Sequence, residues 1–278
     1  MGTHALRMRL EGLVVAERAE TCAIAKRRYP DSAVYSRAIA GGIAVFGGSA
    51  IGLSSVSGLG DESALTERES AALREFLDAV GERPVEVSVP VGSDPETVAL
   101  IASLGMRFLE FEDVLVLDIG QAHPANRLAD TCHGPHGSSD ACISVVSSVD
   151  TDRWAELVAR GFNEGHTPPQ TDIRFARCIA ERAGVELYWA CLHDTPMAAG
   201  ELWMGDGVAW LSADVTLPAC RGRGLQMRLQ EARLAAAEGS GCTLAVTEAV
   251  PGHASHRNAC RIGFRVAYSR MVFARGER

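Results

Sequence analysis

Residues 217–229, LPACRGRGLQMRL, set three arginines and two glycines where an apolar strand pattern passes into a helical one. The first turn of a helix leaves backbone N–H groups without intrahelical acceptors, and Ser, Thr, Asp or Asn at the N-cap normally satisfies one of them. Gly224 stands at that position and brings no acceptor. Glycine lets a backbone approach a ligand closely, and open N–H groups with the helix dipole behind them favour a phosphate. The chemistry on offer is anion binding; the alternative is a solvated surface loop. The segment is not a Walker loop, which needs G-x-x-x-x-G-K-[ST]. It is not a dinucleotide fingerprint either, because GRGLQM lacks the third glycine and its flanking strands do not read as a βαβ repeat.

Other reactive residue types fit chemistry less well. CHGPHGSSDAC holds Cys132, His133, His136 and Cys142, but its Pro/Gly/Ser-rich setting offers no scaffold for a metal, so it reads as a linker and no metal is expected. His253 and His256 suggest a hydrolase, yet no G-x-S-x-G elbow exists to supply its serine, and a polar role at a helix start is expected instead. The eight cysteines are scattered without a C-x-x-C pair and read as reduced, mostly buried thiols.

The 278 residues suffice for one large domain or two ordinary ones, and the net charge of −8 argues against nonspecific nucleic-acid binding. No apolar run is long enough to span a membrane. The first twenty residues lack a signal peptide's apolar core, and Leu6 stands where myristoylation needs Ser or Thr. A cytoplasmic protein without a nucleic-acid or membrane partner, monomeric or homodimeric, is expected.

The elements that must position the anion site occur twice. Residues 121–141 have linker composition and divide the chain into 1–120 and 142–278. An offset of 158 lays the stretch from Pro84 over that from Cys242 without a gap, matching Gly105 to Gly263 and Arg107 to Arg265. Each half reads as a helical region (about Ala5–Lys26; about Asp152–Phe162 and Ile173–Arg182) followed by antiparallel strands. A longer helix, a buried strand, a short helix and a last strand complete it. This is an internal duplication of an α/β (α+β) unit, each copy a mixed, mostly antiparallel sheet flanked by helices. Gly-Asp-Gly at 205–207 signals a hairpin turn.

The copies differ at the start of the longer helix. In the first, Thr66 and Glu69 form a capping box, and Asp61, Glu62 and Glu67 add negative charge. In the second, Gly224 replaces Thr66, and Arg221, Arg223 and Arg228 replace the carboxylates. Leu225, Leu229, Ala232 and Ala236 supply a packing stripe.

TLPACRGRGLQMRLQEARLAAAEGSGCTLAVTEAVPGHASHRNACRIGFRVAY resembles the coenzyme A site of the GNAT superfamily of acyl-CoA-dependent N-acyltransferases. Arg221, Gly224 and Gln226 fall on that family's [Q/R]-x-x-G-x-[G/A] signature, and Gly263-Phe264 on its later Gly-Phe pair. The likeness covers about Cys142–Arg278. Through the repeat it implies a tandem GNAT protein whose N-terminal copy, 1–120, is degenerate.

The resemblance implies that backbone amides of Arg221, Gly222, Arg223, Gly224, Leu225 and Gln226 hold the CoA pyrophosphate. Val215, Thr216 and Leu217 would pair with the pantetheine arm. It implies acetyl-CoA as cosubstrate and an amine on a small molecule or peptide as acceptor, attacking directly in a ternary complex. Glu248 is the first candidate base, with Asp214 near the same cleft; an exposed strand-end carboxylate is the alternative. Glu201 is expected to face solvent by strand alternation. Gln226 departs from the Gly or Ala of the signature, and Ala259 stands where many members have an acidic Tyr. Tyr268 is the substitute acid, or is packed with its hydroxyl satisfied. Ser255 and Asn258 are placed to contact the cofactor arm or the thiolate. A CoA-binding sensor or partner-binding protein without turnover is the rival reading.

Overall fold

The computed structural model describes residues 3–52, 54–59, 63–120 and 141–276. The Cys132–His136 cluster, nearly all of the linker, and Asp61 and Glu62 lie outside them; Ala141, its last linker residue, already begins a strand. Two compact units form, residues 1–113 with 267–278, and residues 114–266.

The first unit holds α1 (Thr3–Arg28), β1 (Tyr35–Ile39), β2 (Gly42–Phe46), β3 (Ser54–Ser57), α2 (Glu67–Val80), β4 (Val85–Pro90) and α3 (Pro95–Ser103). It also takes the start of β5 (Arg107–Asp118) and most of β11 (Arg265–Arg275). Strands β1, β2 and β3 pair antiparallel and β3 pairs β4 in parallel; β11 then joins β4 antiparallel, from Arg270 opposite Pro90 to Arg275 opposite Val85. Its core includes Phe46, Leu73, Phe76, Val87 and Phe273.

The second unit holds β6 (Ala141–Val145), α4 (Thr151–Phe162), α5 (Gln170–Ala180), β7 (Val185–Leu192), β8 (Thr195–Gly205) and β9 (Val208–Thr216). After these come α6 (Leu225–Gly239), β10 (Leu244–Ala249) and α7 (Ala254–Ile262). Its strand order is β5-β10-β9-β8-β7-β6, antiparallel from β9 to β6, with β9 and β10 parallel. The duplication is visible element by element: α2, β4, α3 and β5 recur as α6, β10, α7 and β11 at an offset of 158, to within one residue. Each unit nevertheless takes strand residues from the other copy, β11 in the first and the end of β5 in the second.

Local chemistry explains the connections. Gly205 pairs with Val208, leaving Asp206 (φ 51°) and Gly207 (φ 73°) as the two-residue turn that suits a twisted hairpin. At the end of α7, Gly263 has φ 115°, donates its N–H to the carbonyl of Ala259 at 3.2 Å, and is followed by buried Phe264. The Gly-Phe pair is thus a left-handed helix stop with its hydrophobic plug.

Candidate functional site

The two longer helices start in opposite ways. At α2, Thr66 Oγ1 accepts the N–H of Glu69 at 3.3 Å, and Glu69 Oε2 accepts the N–H of Thr66 at 2.9 Å. At α6, Gly224 sits in the left-handed region (φ 76°, ψ 6°), no side chain caps the helix, and no acidic residue lies in its first turn. The first intrahelical bond runs from Arg228 N–H to Gly224 carbonyl. Among the described residues, no acceptor meets the N–H groups of residues 222–227, whereas the Arg221 N–H, expected to join them, is taken by the Pro218 carbonyl at 3.3 Å. Gly222 (φ 77°) and Gly224 have open space where a Cβ would stand, so backbone conformation, not crowding, calls for glycine there.

The arginines around this turn divide into two roles. Arg221 makes a bidentate pair with Glu164 at 2.7 and 3.0 Å and donates its Nε to the carbonyl of Thr216 at 3.2 Å. Arg228 donates to the carbonyl of Ala141 at 3.1 Å. Arg223 is exposed, with no side-chain partner among the described residues. Arg221 and Arg228 therefore hold the loop, while Arg223 and the backbone face outward.

Beside the loop, the central strands part. β10 and β9 pair from Leu244 opposite Val208 to Thr247 opposite Leu211, and Thr247 Oγ1 closes the pairing on the Leu211 carbonyl at 3.0 Å. Beyond Leu211, β9 runs on to Thr216 without β10. Leu217 donates its N–H to Met197 on the β8 side and its carbonyl accepts from Cys220, so its backbone is engaged within the unit. By antiparallel alternation, Thr216 then turns its N–H and C=O away from β8, where the carbonyl meets Arg221 Nε and the N–H faces the open edge. Gly161 of α4 lets that helix press on the side chain of Val215, where any Cβ would collide.

Glu248 is the first residue of β10 past the paired segment and is half-buried. Asp214 lies under α6, paired with Arg233 and accepting from Gln230 Nε2 at 3.2 Å. Burial pushes its carboxyl up, and Arg233 and Gln230 oppose that shift. Tyr268 belongs to the first unit, where its hydroxyl donates to Glu11 at 2.6 Å beside Arg270; this is the packed, satisfied tyrosine. Gln226 and Asn258 are brought together, Asn258 Nδ2 donating to Gln226 Oε1 at 2.8 Å, so the signature's odd glutamine ties α6 to α7. Ser255 is half-buried at the start of α7. Arg257 donates to the Gly252 carbonyl and so fixes the turn into α7.

Two expectations are corrected. Of the expected α6 stripe, Leu225 and Leu229 are buried and Ala236 packs half-buried against the core, but the buried face also takes Gln230, Arg233, Leu234 and Ala237; a template of apolar residues passes over a buried arginine. Glu201 does not face solvent: it is 1% exposed and paired with Arg182, because helices cover both faces of β8.

Four of the seven described cysteines are buried, two are exposed and none is in a disulfide. Among the described residues, no helix is long and apolar enough to cross a membrane, and no group of three His, Cys, Asp or Glu side chains is gathered for a metal.

No family model matches the chain, and no match to it is found among curated proteins. Solved structures are. A GCN5-related N-acetyltransferase from Kribbella flavida is 16% identical with a TM-score of 0.59, covering 94% of this chain and 96% of its own. One from Sphaerobacter thermophilus is 14% identical with a TM-score of 0.61, over 84% and 76%. A tandem GNAT protein from the clavulanic acid biosynthesis pathway is 15% identical with a TM-score of 0.61, over 91% and 86%. At these identities the likeness is one of architecture: the chain has the tandem GNAT fold.

Proposed function

We propose that this chain is an acyl-CoA-dependent N-acyltransferase, using acetyl-CoA and an amine acceptor on a small molecule or peptide, with its site in the second unit. The observation that carries this reading is the uncapped start of α6 beside the unpaired edge of β9. The residues fit the cosubstrate: six successive backbone N–H groups suit a pyrophosphate, and the β9 edge beyond β10, where Arg221 holds the Thr216 carbonyl, leaves the Thr216 N–H to an amide-bearing arm. When bound, a CoA thioester supplies an acyl group activated toward amines.

The chain's own task is to bind and orient. The amides from Gly222 to Gln226 hold the pyrophosphate, Arg223 adds charge, and Arg221 secures the loop through Glu164. Val215 and Thr216 present the strand edge; Leu217 holds the end of that edge to β8. Glu248, where the strands part, takes the proton from the acceptor amine, directly or through water. Ser255 and Asn258 lie on the side of α7 where the thiol end of the arm is expected.

One observation favours a second reading, CoA binding without turnover. Ala259 is 1% exposed and carries no acid, and Tyr268 is committed to Glu11 in the first unit. Titration calorimetry of acetyl-CoA into wild type and Gly224→Glu, followed by thiol release with a panel of amines, separates the readings. Binding lost in the variant, with turnover on any amine, supports the enzyme. Binding without turnover supports the sensor. A folded wild type that does not bind rejects both.

A further inference from the structure

Halfway along α6, an arginine is wholly buried. Arg233 is 0% exposed, and its guanidinium reaches across two strands. Nε donates to the Leu229 carbonyl at 3.1 Å, and Nη1 to the carbonyls of Glu201 on β8 at 2.7 Å and Ser212 on β9 at 3.3 Å; Nη2 meets Asp214. Gly200 leaves room for it: a Cβ there would lie 2.7 Å from Arg233 Cζ and from Asp214 Oδ1.

The place it grips is irregular. Ala199 pairs with Val215 and Glu201 with Ser212, so one β8 residue opposes two on β9, a bulge in which Ala213 has φ 53°. It begins one residue after β9 and β10 stop pairing, and it sets the direction of the edge through Thr216. A buried ion pair is a poor way to gain stability over an apolar pair of the same volume. A planar fork that reaches two carbonyls and a carboxylate is, however, well suited to fixing a backbone shape.

We propose that Arg233, with Asp214, is a positioning residue that holds the β9 bulge and so fixes the open strand edge relative to the phosphate loop. The reading rests on the CoA site above. Gly224 and Arg233 lie on one helix, about 13 Å apart along its axis at 1.5 Å per residue, so α6 sets the spacing between its own N-terminus and the strand edge. Asp214 then acts through Arg233 and takes no proton from the acceptor.

The test removes the pair without leaving a lone buried charge: Arg233→Met with Asp214→Leu, compared with Arg233→Lys. Acetyl-CoA and ADP are titrated into each; ADP carries a pyrophosphate but no pantetheine arm. The double variant is expected to lose at least about tenfold in acetyl-CoA affinity and no more than about twofold in ADP affinity. In the free protein, amide hydrogen exchange is expected to rise at residues 213–217 and to stay unchanged at 229–233. Arg233→Lys, which keeps the charge but not the fork, should fall between wild type and the double variant in both measurements. Unchanged exchange at 213–217, or equal losses for both ligands, overturns the proposal. If the double variant shows the exchange pattern but the wild type binds neither ligand, the positioning role stands and the CoA reading fails instead. Should the double variant not fold, Gly200→Ala, which presses a Cβ onto the guanidinium, carries the same expectations.

Discussion

Helices α2 and α6 are the same element in two copies of one unit, and they differ where a helix is most open to change. α2 begins at Thr66 in extended backbone (φ −60°, ψ 160°), closed by reciprocal bonds with Glu69. α6 begins at left-handed Gly224 with nothing closing it. A side-chain cap contributes about 1 kcal/mol, so an open helix start forgoes stability that the other copy keeps. The lesson is local: one side chain at the N-cap decides whether a helix end belongs to the fold or to a ligand. The largest effect should come from moving the closed end into the second copy. Gly224→Thr with Met227→Glu sets a capping box at the equivalent positions. It adds a carboxylate, worth up to about 2 kcal/mol against an anion there, and about 1–2 kcal/mol of left-handed strain on the loop. Acetyl-CoA affinity should fall at least about 100-fold by calorimetry. Wild-type affinity in a folded graft would mean that the helix start does not hold the cosubstrate.

Opening the closed end should do much less. Thr66→Ala removes the cap, with an expected loss of about 1 kcal/mol in the unfolding transition that includes the first unit, and no change in acetyl-CoA affinity. Altered affinity would break the assignment of binding to the second copy. The substitution also has a pH signature. Hydrogen bonds from the hydroxyl and N–H of Thr66 hold the Glu69 carboxyl below its usual value. A depressed folded-state pKa contributes stability above the unfolded value and loses it as pH falls through the folded one. The wild type should therefore lose stability faster than Thr66→Ala below about pH 4.5, and the gap between the two should narrow in acid to what the cap from the Thr66 hydroxyl to the Glu69 N–H contributes.

Much of this contrast was legible in the sequence because it is written over short distances. The capping box is a four-residue pattern, Gly-Asp-Gly a two-residue turn, and the 158-residue repeat a matter of order and spacing. The exchange of strand residues between copies was not, since β11 meets β4 through backbone pairing that no local pattern encodes. Arg233 escaped for a different reason. A charged residue reads as solvated, and the groups that satisfy it, Asp214 and the carbonyls of Glu201 and Ser212, lie on strands β8 and β9. Tyr268 shows the same limit from the other side. Its residue type suits acid catalysis, but its strand carries it into the first unit and onto Glu11.

The smallest predicted effect sharpens what the open helix end needs from its surroundings. Glu164 and Arg221 are 65% and 48% exposed, so their bidentate pair is a weak, solvent-screened surface contact. Arg221 keeps Glu164 ionised to lower pH than an ordinary carboxylate, so the pair carries its full charge at neutral pH. Two consequences of Glu164→Gln then oppose each other. Losing a carboxylate near the loop favours an anion, while losing one of two bonds to Arg221 loosens the loop that presents the amides. If the backbone amides and dipole dominate, the electrostatic gain wins narrowly. Acetyl-CoA affinity should rise by no more than about threefold at low salt, and the difference should vanish near 0.5 M salt, where exposed charges are screened. A tenfold loss at every salt concentration would shift the balance. It would show that the second copy's open end depends on the Glu164 anchor as much as on the missing cap, so that opening a helix start is not by itself enough to make it bind.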